Sequence, residues 1–336
     1  MRTVTRDLGR VAVVAGGLSH ERAVSLQSGR RAVYELRAVG VDAHQYDVDA
    51  TLLDRLSGDG VQVAYLATHG PGGEDGVLQS VLEILGVPYA GSSSRACRLA
   101  WDKANARVAL EQAGIAVPDW LALPSEAFRE LGSARLLAAI RERLGLPLVV
   151  KPSTGGSALG ITGVDEAEQL PEALVRSFGY GDVSLMERYI DGLDVAVGIV
   201  ERDGRPVPLP PVSLDFSGGS RFDFSARYSA DRMVVSAPAK LPADLVERLQ
   251  STAIAAHTTL GLRHLSRADF VVDADGDARL LEVAISPGLT ETSLFPLAVE
   301  AAGQTLGEAL HYLLAAAVDE AGGSSTAAQR DRGRPC

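Results

Sequence analysis

The first hundred residues alternate short apolar runs with stretches of helical spacing. Residues 11–15 form a continuous apolar run that ends at paired glycines, a pattern typical of a buried parallel strand. Apolar positions then recur at helical spacing over 24–39, and further strands are predicted over 42–48 and 61–68. This alternation, completed by a helix over Val77–Leu85, predicts a small doubly wound α/β unit with a parallel sheet.

After residue 100 the pattern becomes that of a mixed α+β region with many short strands and glycine-rich loops. Residues 215–229 are polar and predict a long loop. Residues 321–336 lack an apolar period and predict a disordered tail. The strands predicted in this region are 117–123, 148–151, 183–190, 194–200, 207–212, 265–272 and 278–283, and the helices are 102–113, 134–144, 245–260, 293–302 and 306–317.

Composition and charge narrow the class of protein. The chain is 46% hydrophobic and 22% charged, which is typical of a globular protein. Its 32 basic and 43 acidic residues give a net charge of −11, so no binding to nucleic acid or to an anionic membrane is expected. The two cysteines are too few for a disulfide framework, and no apolar run reaches the length of a membrane span or a signal peptide. A cytoplasmic enzyme is therefore expected.

Glycine-rich segments with polar side chains stand where the predicted strands end, which is where α/β folds place ligands. In residues 16–22 the glycines allow close approach of a ligand to a helix N-terminus, although they are equally consistent with a tight turn. Residues 69–76 combine His69 with acidic side chains and glycines, and His69 alone fits a structural role as well as a catalytic one.

Lys151 closes an apolar strand and is followed by a loop of small residues, 153–160. A lysine beside many backbone N–H donors provides the elements of a phosphate clamp. The segment is not a Walker A loop, because the lysine precedes the glycines and no Gly-Lys-Ser/Thr sequence follows. The alternative is a strand-end lysine that extends to solvent beside a flexible loop.

Arg267 and Asp269 share one face of a predicted strand, and Glu282 lies near the end of the next. If the two strands pair as a hairpin, both carboxylates face one cavity and suit Mg²⁺, which prefers carboxylate, phosphate and water oxygens. A cross-strand salt-bridge patch is the alternative. Residues 286–293 then form a turn into a helix whose N-terminus can bind a carboxylate.

Taken in chain order, these segments resemble the D-alanine–D-alanine ligase family of the ATP-grasp superfamily. The resemblance implies a three-domain ATP-grasp fold: an N-terminal α/β domain over 1–100, a central domain over 101–190 and a C-terminal domain over 191–320, before the 321–336 tail. The segments that carry it are GGLSHERAVSLQSG, HGPGGEDGVLQSVLEILGVPYAGS, DK at 102–103, VKPSTGGSALG, ERYIDGLDVAV, ARY at 226–228, RADF and EVAISPGLTETSLFP.

The activity that the resemblance implies is ATP-dependent joining of two D-alanine molecules through D-alanyl phosphate, with release of ADP and phosphate. This reaction would serve the synthesis of peptidoglycan precursors. The resemblance further implies ATP and Mg²⁺ as cofactors, with Mn²⁺ as a substitute, and a homodimer formed through the N-terminal domain.

The resemblance also implies a role for each matching substrate-side residue. Glu21 matches the residue that binds the ammonium group of the first substrate, oriented through Ser157 and Tyr228, and His69 lies near that substrate. The residues that match the family's stabilisers of the oxyanion and phosphate are Arg267 and the Gly288 N–H, and those that match the carboxylate site of the second substrate are Ser293 and Leu294.

On the nucleotide side, Lys103 and Lys151 match the lysines that bind ATP phosphates. Glu187 matches the acidic position beside adenine, with Arg188 and Tyr189 next to the base, and Asp194 matches the ribose-binding position. Asp269 and Glu282 match metal ligands, and Arg227 replaces the usual lysine of the mobile loop.

The sequence departs from the family pattern around the phosphates. Ala284 stands where the family has a metal-binding asparagine, so one hard ligand is replaced by a methyl group. Arg227 keeps the positive charge of the usual lysine without its compact ammonium group. The loop 154–158 lacks a charged residue and a second serine that are usual there.

These departures leave two alternative hypotheses beside the D-alanine–D-alanine ligase. The first is a paralogous ATP-grasp ligase that joins or cyclises a different D-amino-acid-like substrate. The second, from a different class, is a catalytically impaired nucleotide-binding protein that acts by interaction or regulation.

Overall fold

The computed structural model describes residues 6–215 and 234–331 of the chain. Its N-terminal part is a parallel sheet with strand order β2-β1-β3-β4, flanked by helices, so the predicted doubly wound unit is confirmed. The strands are β1 (Arg10–Ala15), β2 (Asp42–Asp47), β3 (Val61–Leu66) and β4 (Tyr89–Ala90), and the helices are α1 (Arg22–Ala38), α2 (Leu52–Gly58) and α3 (Val77–Leu85).

The second sheet is antiparallel and follows two helices, α4 (Ser94–Trp101) and α5 (Lys103–Gln112). Asp102 separates these helices and accepts hydrogen bonds from the first backbone N–H groups of α5, as an N-cap does. The strands, in the order β5-β8-β6-β7, are β5 (Trp120–Pro124), β6 (Leu148–Pro152), β7 (Thr162–Val164) and β8 (Val183–Arg188), and the helices are α6 (Ser125–Leu131), α7 (Ser133–Leu144) and α8 (Leu170–Phe178).

The third sheet has the strand order β12-β11-β9-β13-β14, and β10 pairs with β9. Strand β13, next to the edge strand β14, pairs antiparallel with β9 and with β14. The strands are β9 (Leu193–Arg202), β10 (Arg205–Pro208), β11 (Val212–Asp215), β12 (Val234–Ser236), β13 (Leu265–Val272) and β14 (Ala278–Ala284), and the helices are α9 (Ala243–Thr259), α10 (Leu294–Ala301) and α11 (Leu306–Asp331).

Two hydrophobic cores connect segments that are far apart in the chain. Leu310 and Leu313 of α11 pack in one core with Val11 and Val13 of β1, so the last helix completes the N-terminal layer. Leu110 of α5 packs with residues of β9 and β13, so α5 is held on the third sheet although it precedes the second. Helix α5 therefore lies where the second and third sheets face each other, and it carries Lys103 to that boundary.

Two expectations about the elements are wrong. The predicted single strand 207–212 is divided into β10 and β11, because Pro210 and Pro211 cannot donate ladder hydrogen bonds. Part of the predicted disordered tail is helical, as far as Asp331, where it continues α11, because extending an existing helix needs no new nucleation. Residues 332–336 lie outside the described part of the chain.

Within the described residues, none of the helices is both long enough and apolar enough to span a bilayer.

Candidate active site

A cavity opens where α5, the loop after β6 and strand β14 meet. Polar and charged side chains from all three segments line it, including Lys103, Glu282 and, from the N-terminal layer, Glu74. The glycines at 155 and 156 form part of its wall, so backbone groups are exposed to the cavity there.

Glu21 lies directly before α1 and is buried. Ser157 donates a hydrogen bond from Oγ to Glu21 Oε1. Burial raises the pKa of Glu21, while the Ser157 hydrogen bond and the charge of Lys103 act against that shift. A Cβ atom on Gly156 would lie 3.0 Å from Glu21 Oε1, so glycine allows the 153–160 loop to approach this carboxylate. The structure thus brings Glu21 and Ser157 together, 136 residues apart in sequence.

His69 is buried one loop away from Glu21 and is held by α1. Its Nε2 atom lies 3.2 Å from Ser28 Oγ, and its carbonyl accepts a hydrogen bond from Ser19 Oγ at 2.7 Å. Burial, with the nearby Arg267 charge, lowers the pKa of His69 to about 4. The imidazole is therefore neutral at pH 7 and can take part only as a neutral donor or acceptor.

Lys151 and Glu187 form a buried pair on neighbouring strands β6 and β8. Lys151 Nζ lies 2.7 Å from Glu187 Oε1, and Arg107 of α5 donates from Nη2 to Glu187 Oε2. Burial alone would raise the pKa of Glu187, but Lys151 and Arg107 outweigh it, and the pKa lies below its ordinary value. Glu187 is therefore ionised, with one cation at each carboxylate oxygen.

Lys103 begins α5 and reaches the loop after β6. Its backbone N–H donates to the Ser153 carbonyl at 2.8 Å, and its Nζ donates to the Gly155 carbonyl. The same ammonium group lies 3.6 Å from Glu282 Oε2. Lys103 thus sits between the small-residue loop and one of the predicted metal ligands, so a phosphate that occupies the cavity meets this charge.

Asp269 and Glu282 are direct cross-strand partners in the pairing of β13 with β14, as expected for a hairpin. Arg267 donates to both oxygens of Asp269, from Nε and Nη2 at 2.7 Å each. Burial would lower the pKa of Arg267, but the Asp269 carboxylate outweighs it and raises that pKa. The guanidinium is therefore charged, and it points toward the two carboxylates.

The donor set at this hairpin fits a hard divalent cation. Two carboxylates from adjacent strands suit Mg²⁺, which commonly keeps waters and binds phosphate oxygens in its other positions. Ala284 lies opposite Arg267 in the strand pairing and lines the cavity. Its methyl group offers no ligand atom, so this position does not contribute to a metal site.

Gly288, Ser293 and Leu294 lie on the turn between β14 and α10. A Cβ on Gly288 would come within 2.9 Å of Ser293 Oγ, so a side chain at position 288 would displace this hydroxyl at the start of α10. Ser293 is the N-cap residue of α10, and its side chain makes no capping hydrogen bond. Ser293 therefore does not cap the first backbone N–H groups of α10, the kind of groups that can bind an anion.

Helix α1 attaches this turn to the N-terminal layer. The Leu289 N–H donates to Ser28 Oγ at 3.2 Å, and Arg31 donates to the Thr290 carbonyl at 2.9 Å. Because Ser28 Oγ also lies 3.2 Å from His69 Nε2, one serine connects the turn to His69.

The other residues that match the family's nucleotide-binding positions lie on different elements and differ in exposure. Arg188 is exposed and its side chain contacts the Leu144 carbonyl at 3.2 Å, since it alternates to the opposite face of β8 from Glu187. Tyr189 follows β8 and donates from Oη to Asp191 at 3.1 Å, whereas Asp194 lies in β9 and pairs with Leu214 and Val271. Tyr228 and Arg227 lie outside the described residues.

Two cavity residues were not singled out by the sequence patterns. Glu74 is buried, and burial raises its pKa to about 8, while Glu21 adds to the shift and the Gly70 N–H bond at 2.8 Å opposes it. Arg107 is fully buried and contacts Glu187. The signal that could have found Arg107 is its position four residues after Lys103, which places both on one face of α5.

A second group of histidine and carboxylate atoms lies outside the cavity. In the part of the chain that the structure describes, ligand atoms of Glu201, His264 and Glu320 lie within 4.8 Å of one another. The Gly91 N–H donates to His264 Nδ1 at 2.9 Å, so the neutral ring carries its proton on Nε2, which faces Glu320 at 3.2 Å. A metal on Nε2 would require a proton on Nδ1 and the loss of the Gly91 bond. This group therefore connects layers of the protein rather than forming a metal centre.

The sequence of the chain is similar to those of known D-alanine–D-alanine ligases. A family model described as the C-terminus of D-Ala–D-Ala ligase matches residues 109–315. A D-alanine–D-alanine ligase from Pseudomonas fluorescens is 38% identical over 317 residues, which cover 94% of this chain and 94% of the relative. A ligase of the same name from Nitrosomonas eutropha is 36% identical over 310 residues, which cover 92% of this chain and 97% of the relative.

Solved structures agree with this assignment. The D-alanine–D-alanine ligase from Bacillus anthracis, solved in complex with ATP, matches with a TM-score of 0.76 and 29% identity, covering 94% of this chain and 99% of that one. The three sheets, of which the N-terminal one is parallel, are thus those of ATP-grasp ligases. The chain belongs to the D-alanine–D-alanine ligase family.

Proposed function

We propose that this protein joins two D-alanine molecules in an ATP-dependent reaction that passes through D-alanyl phosphate. One observation carries this proposal more than any other. Lys103 and Glu282 line one cavity and pair with each other, Glu21 lies against the Gly156 part of its wall, and the lining residue Arg107 contacts Glu187, although these residues come from distant segments. The family membership supports the same activity, because relatives that match over nine-tenths of the chain carry this name.

In the first step, a carboxylate oxygen of one D-alanine attacks the γ-phosphorus of ATP, and ADP leaves. Lys103 and Lys151 neutralise negative charge on the phosphates. This reduces the repulsion between the triphosphate and the attacking carboxylate, which is the main barrier to their approach. Glu21 binds the substrate ammonium group, which supplies the positive charge that this buried carboxylate lacks. These contacts fix the carboxylate in line with the phosphate.

In the second step, the amine of the other D-alanine attacks the acyl carbon, and phosphate leaves. Negative charge develops on the acyl oxygen, and the Arg267 guanidinium together with the Gly288 N–H stabilises it. The free N–H groups at the start of α10, beside Ser293 and Leu294, bind the carboxylate of the incoming D-alanine. His69 stays neutral near the first substrate and contributes no charge.

Asp269 and Glu282 are the residues that would hold Mg²⁺, or Mn²⁺ in its place. A bound divalent cation supplies charge neutralisation to the phosphates of ATP. Because Ala284 adds no ligand, we expect water to fill the coordination position that a side chain at 284 would otherwise take.

The cellular context follows from the activity. A D-alanine dipeptide is a building block for peptidoglycan, and ATP and free D-alanine place such an enzyme in the cytoplasm. We also propose a homodimer formed through the N-terminal layer. The exposed apolar side chains of α3, among them Val77, Ile84 and Leu85, support an interface there.

The activity is tested by phosphate release from ATP with D-alanine, D-serine, D-lactate and L-alanine, each alone and in pairs with D-alanine. Turnover with D-alanine as both partners, and formation of the dipeptide by mass, is the expected result. Turnover only with another D-amino acid would favour a paralogous ligase. ATP binding without turnover on any substrate would favour an impaired, nucleotide-binding protein.

A further inference from the structure

Arg107 is a buried arginine in the cavity wall to which none of the predicted roles applies. Only 2% of it is exposed, and it lies one helical turn after Lys103 on α5. Its Nη2 atom donates to Glu187 Oε2 and, at 3.1 Å, to the carbonyl of Leu281 on β14. A single side chain thus joins α5 to the second sheet through Glu187 and to the third sheet through Leu281.

The contact with Arg107 fixes what Glu187 can bind. Lys151 takes one carboxylate oxygen and Arg107 the other, so the side chain cannot rotate without breaking a charged hydrogen bond. An ionised carboxylate accepts hydrogen bonds and cannot donate one. A base that turns an amino group toward Glu187 is bound, whereas a base that turns a carbonyl oxygen toward it is repelled.

Arg107 also retains donors of its own. Among the described residues, its Nε and Nη1 atoms are buried and have no hydrogen-bond acceptor. Buried donors without a partner are uncommon in folded proteins, and because Arg107 lines the cavity, a ligand bound there is a candidate acceptor for them. Acceptor oxygens on Glu187 beside donors on Arg107 form the complement of a 6-aminopurine, which carries an amino group next to ring-nitrogen acceptors.

We propose that Arg107 is a specificity-determining residue of the nucleotide site, which selects a 6-aminopurine over a 6-oxopurine by fixing Glu187 and by donating to the base. This inference rests on the proposed use of ATP. Beyond ATP binding itself, the inference names Arg107 as the residue that makes the site selective and the 6-amino group as the feature of the base that is recognised.

The test compares binding of ATP with binding of inosine triphosphate, in which a carbonyl oxygen replaces the 6-amino group. Dissociation constants are measured by calorimetry without D-alanine for the wild-type protein, Arg107→Lys and the control Arg95→Lys, an exposed arginine on α4. Lysine keeps the charge but cannot bridge Glu187, Leu281 and a base at once. We expect Arg107→Lys to lower the preference for ATP by about tenfold or more, as for loss of a polar selectivity contact.

We expect the KM for D-alanine to change less than twofold in Arg107→Lys, and Arg95→Lys to retain the wild-type preference. An Arg107→Lys protein that weakens both nucleotides equally, or that keeps the wild-type preference, would overturn the inference. If Arg107→Lys does not fold, Arg107→Gln takes its place, because its amide can donate to Glu187 but cannot also supply the Nε and Nη1 donors, so it must lower the same preference. A wild-type protein that binds neither nucleotide would instead contradict the proposed function.

Discussion

At the scale of single residues, Ala284 is the clearest departure from a complete metal site. It lies on β14 two residues after Glu282 and opposite Arg267. We expect Ala284→Asn to lower severalfold the Mg²⁺ concentration that gives half-maximal rate, because an amide oxygen adds a hard ligand. Ala278→Asn, at the other end of β14, is the matched control. An unchanged Mg²⁺ dependence in Ala284→Asn would show that this side chain does not face the metal.

Lys151 is expected to carry much of the transition-state stabilisation. Lys151→Met should lower kcat/KM for ATP by about 10²-fold or more, since the proposed contact between its buried ammonium group and the phosphates is lost. Lys240→Met, which removes an exposed lysine, should leave steady-state rates unchanged. Near-normal phosphate release by Lys151→Met would refute the phosphate-clamp role.

His69 gives a prediction for pH dependence. Its folded pKa of about 4 lies below the ordinary 6.5, so between these values the unfolded chain binds a proton that the native protein does not. The free energy of unfolding should therefore rise with pH in this window, by up to about 1.4 kcal/mol per pH unit from this group. His69→Asn should flatten that slope in denaturant titrations, whereas His20→Asn, an exposed histidine, should not. Equal slopes in wild type and His69→Asn would mean that His69 titrates normally.

At the scale of secondary-structure elements, the close packing of α1 on β1 depends on a glycine at position 29. A Cβ on Gly29 would lie 2.5 Å from Ala15 Cβ, so α1 packs directly on β1. Gly29→Ala should lower the free energy of unfolding by about 1–3 kcal/mol through overpacking, despite the higher helix propensity of alanine. Gly58→Ala at the end of α2, where nothing lies within 4 Å, should be neutral or stabilising. Thermal unfolding of both variants checks this, and a stabilised Gly29→Ala would contradict the packing.

The elements that could be predicted are those with a strong period or a continuous apolar run, such as β1, α3 and the β13–β14 hairpin. Short helices such as α2 and α6 have too few turns to show an apolar period. At the site, the glycine-rich loops and strand-end charges were visible in sequence. Arg107 was not, because its role arises from a contact with Glu187, which is 80 residues away.

At the scale of the whole molecule, the site exists only because three layers meet. Helix α1 of the N-terminal layer contacts both His69 and the 288–290 turn through Ser28 and Arg31. On the far side, Arg263 donates to the Gly91 carbonyl at 2.8 Å and to Glu320 of α11 at 3.0 Å. Such links between layers cannot be derived from periodicity, because they depend on how separately predictable units are arranged.

We expect this arrangement to activate a D-alanine carboxylate with ATP. This expectation is tested most directly with D-alanine labelled with ¹⁸O in both carboxylate oxygens, incubated with ATP and Mg²⁺. Attack by the carboxylate on the γ-phosphate and later loss of phosphate transfer one carboxylate oxygen to each phosphate released. We predict one ¹⁸O atom per phosphate by mass spectrometry, together with an equal amount of D-alanyl-D-alanine. Released phosphate without ¹⁸O would contradict the account.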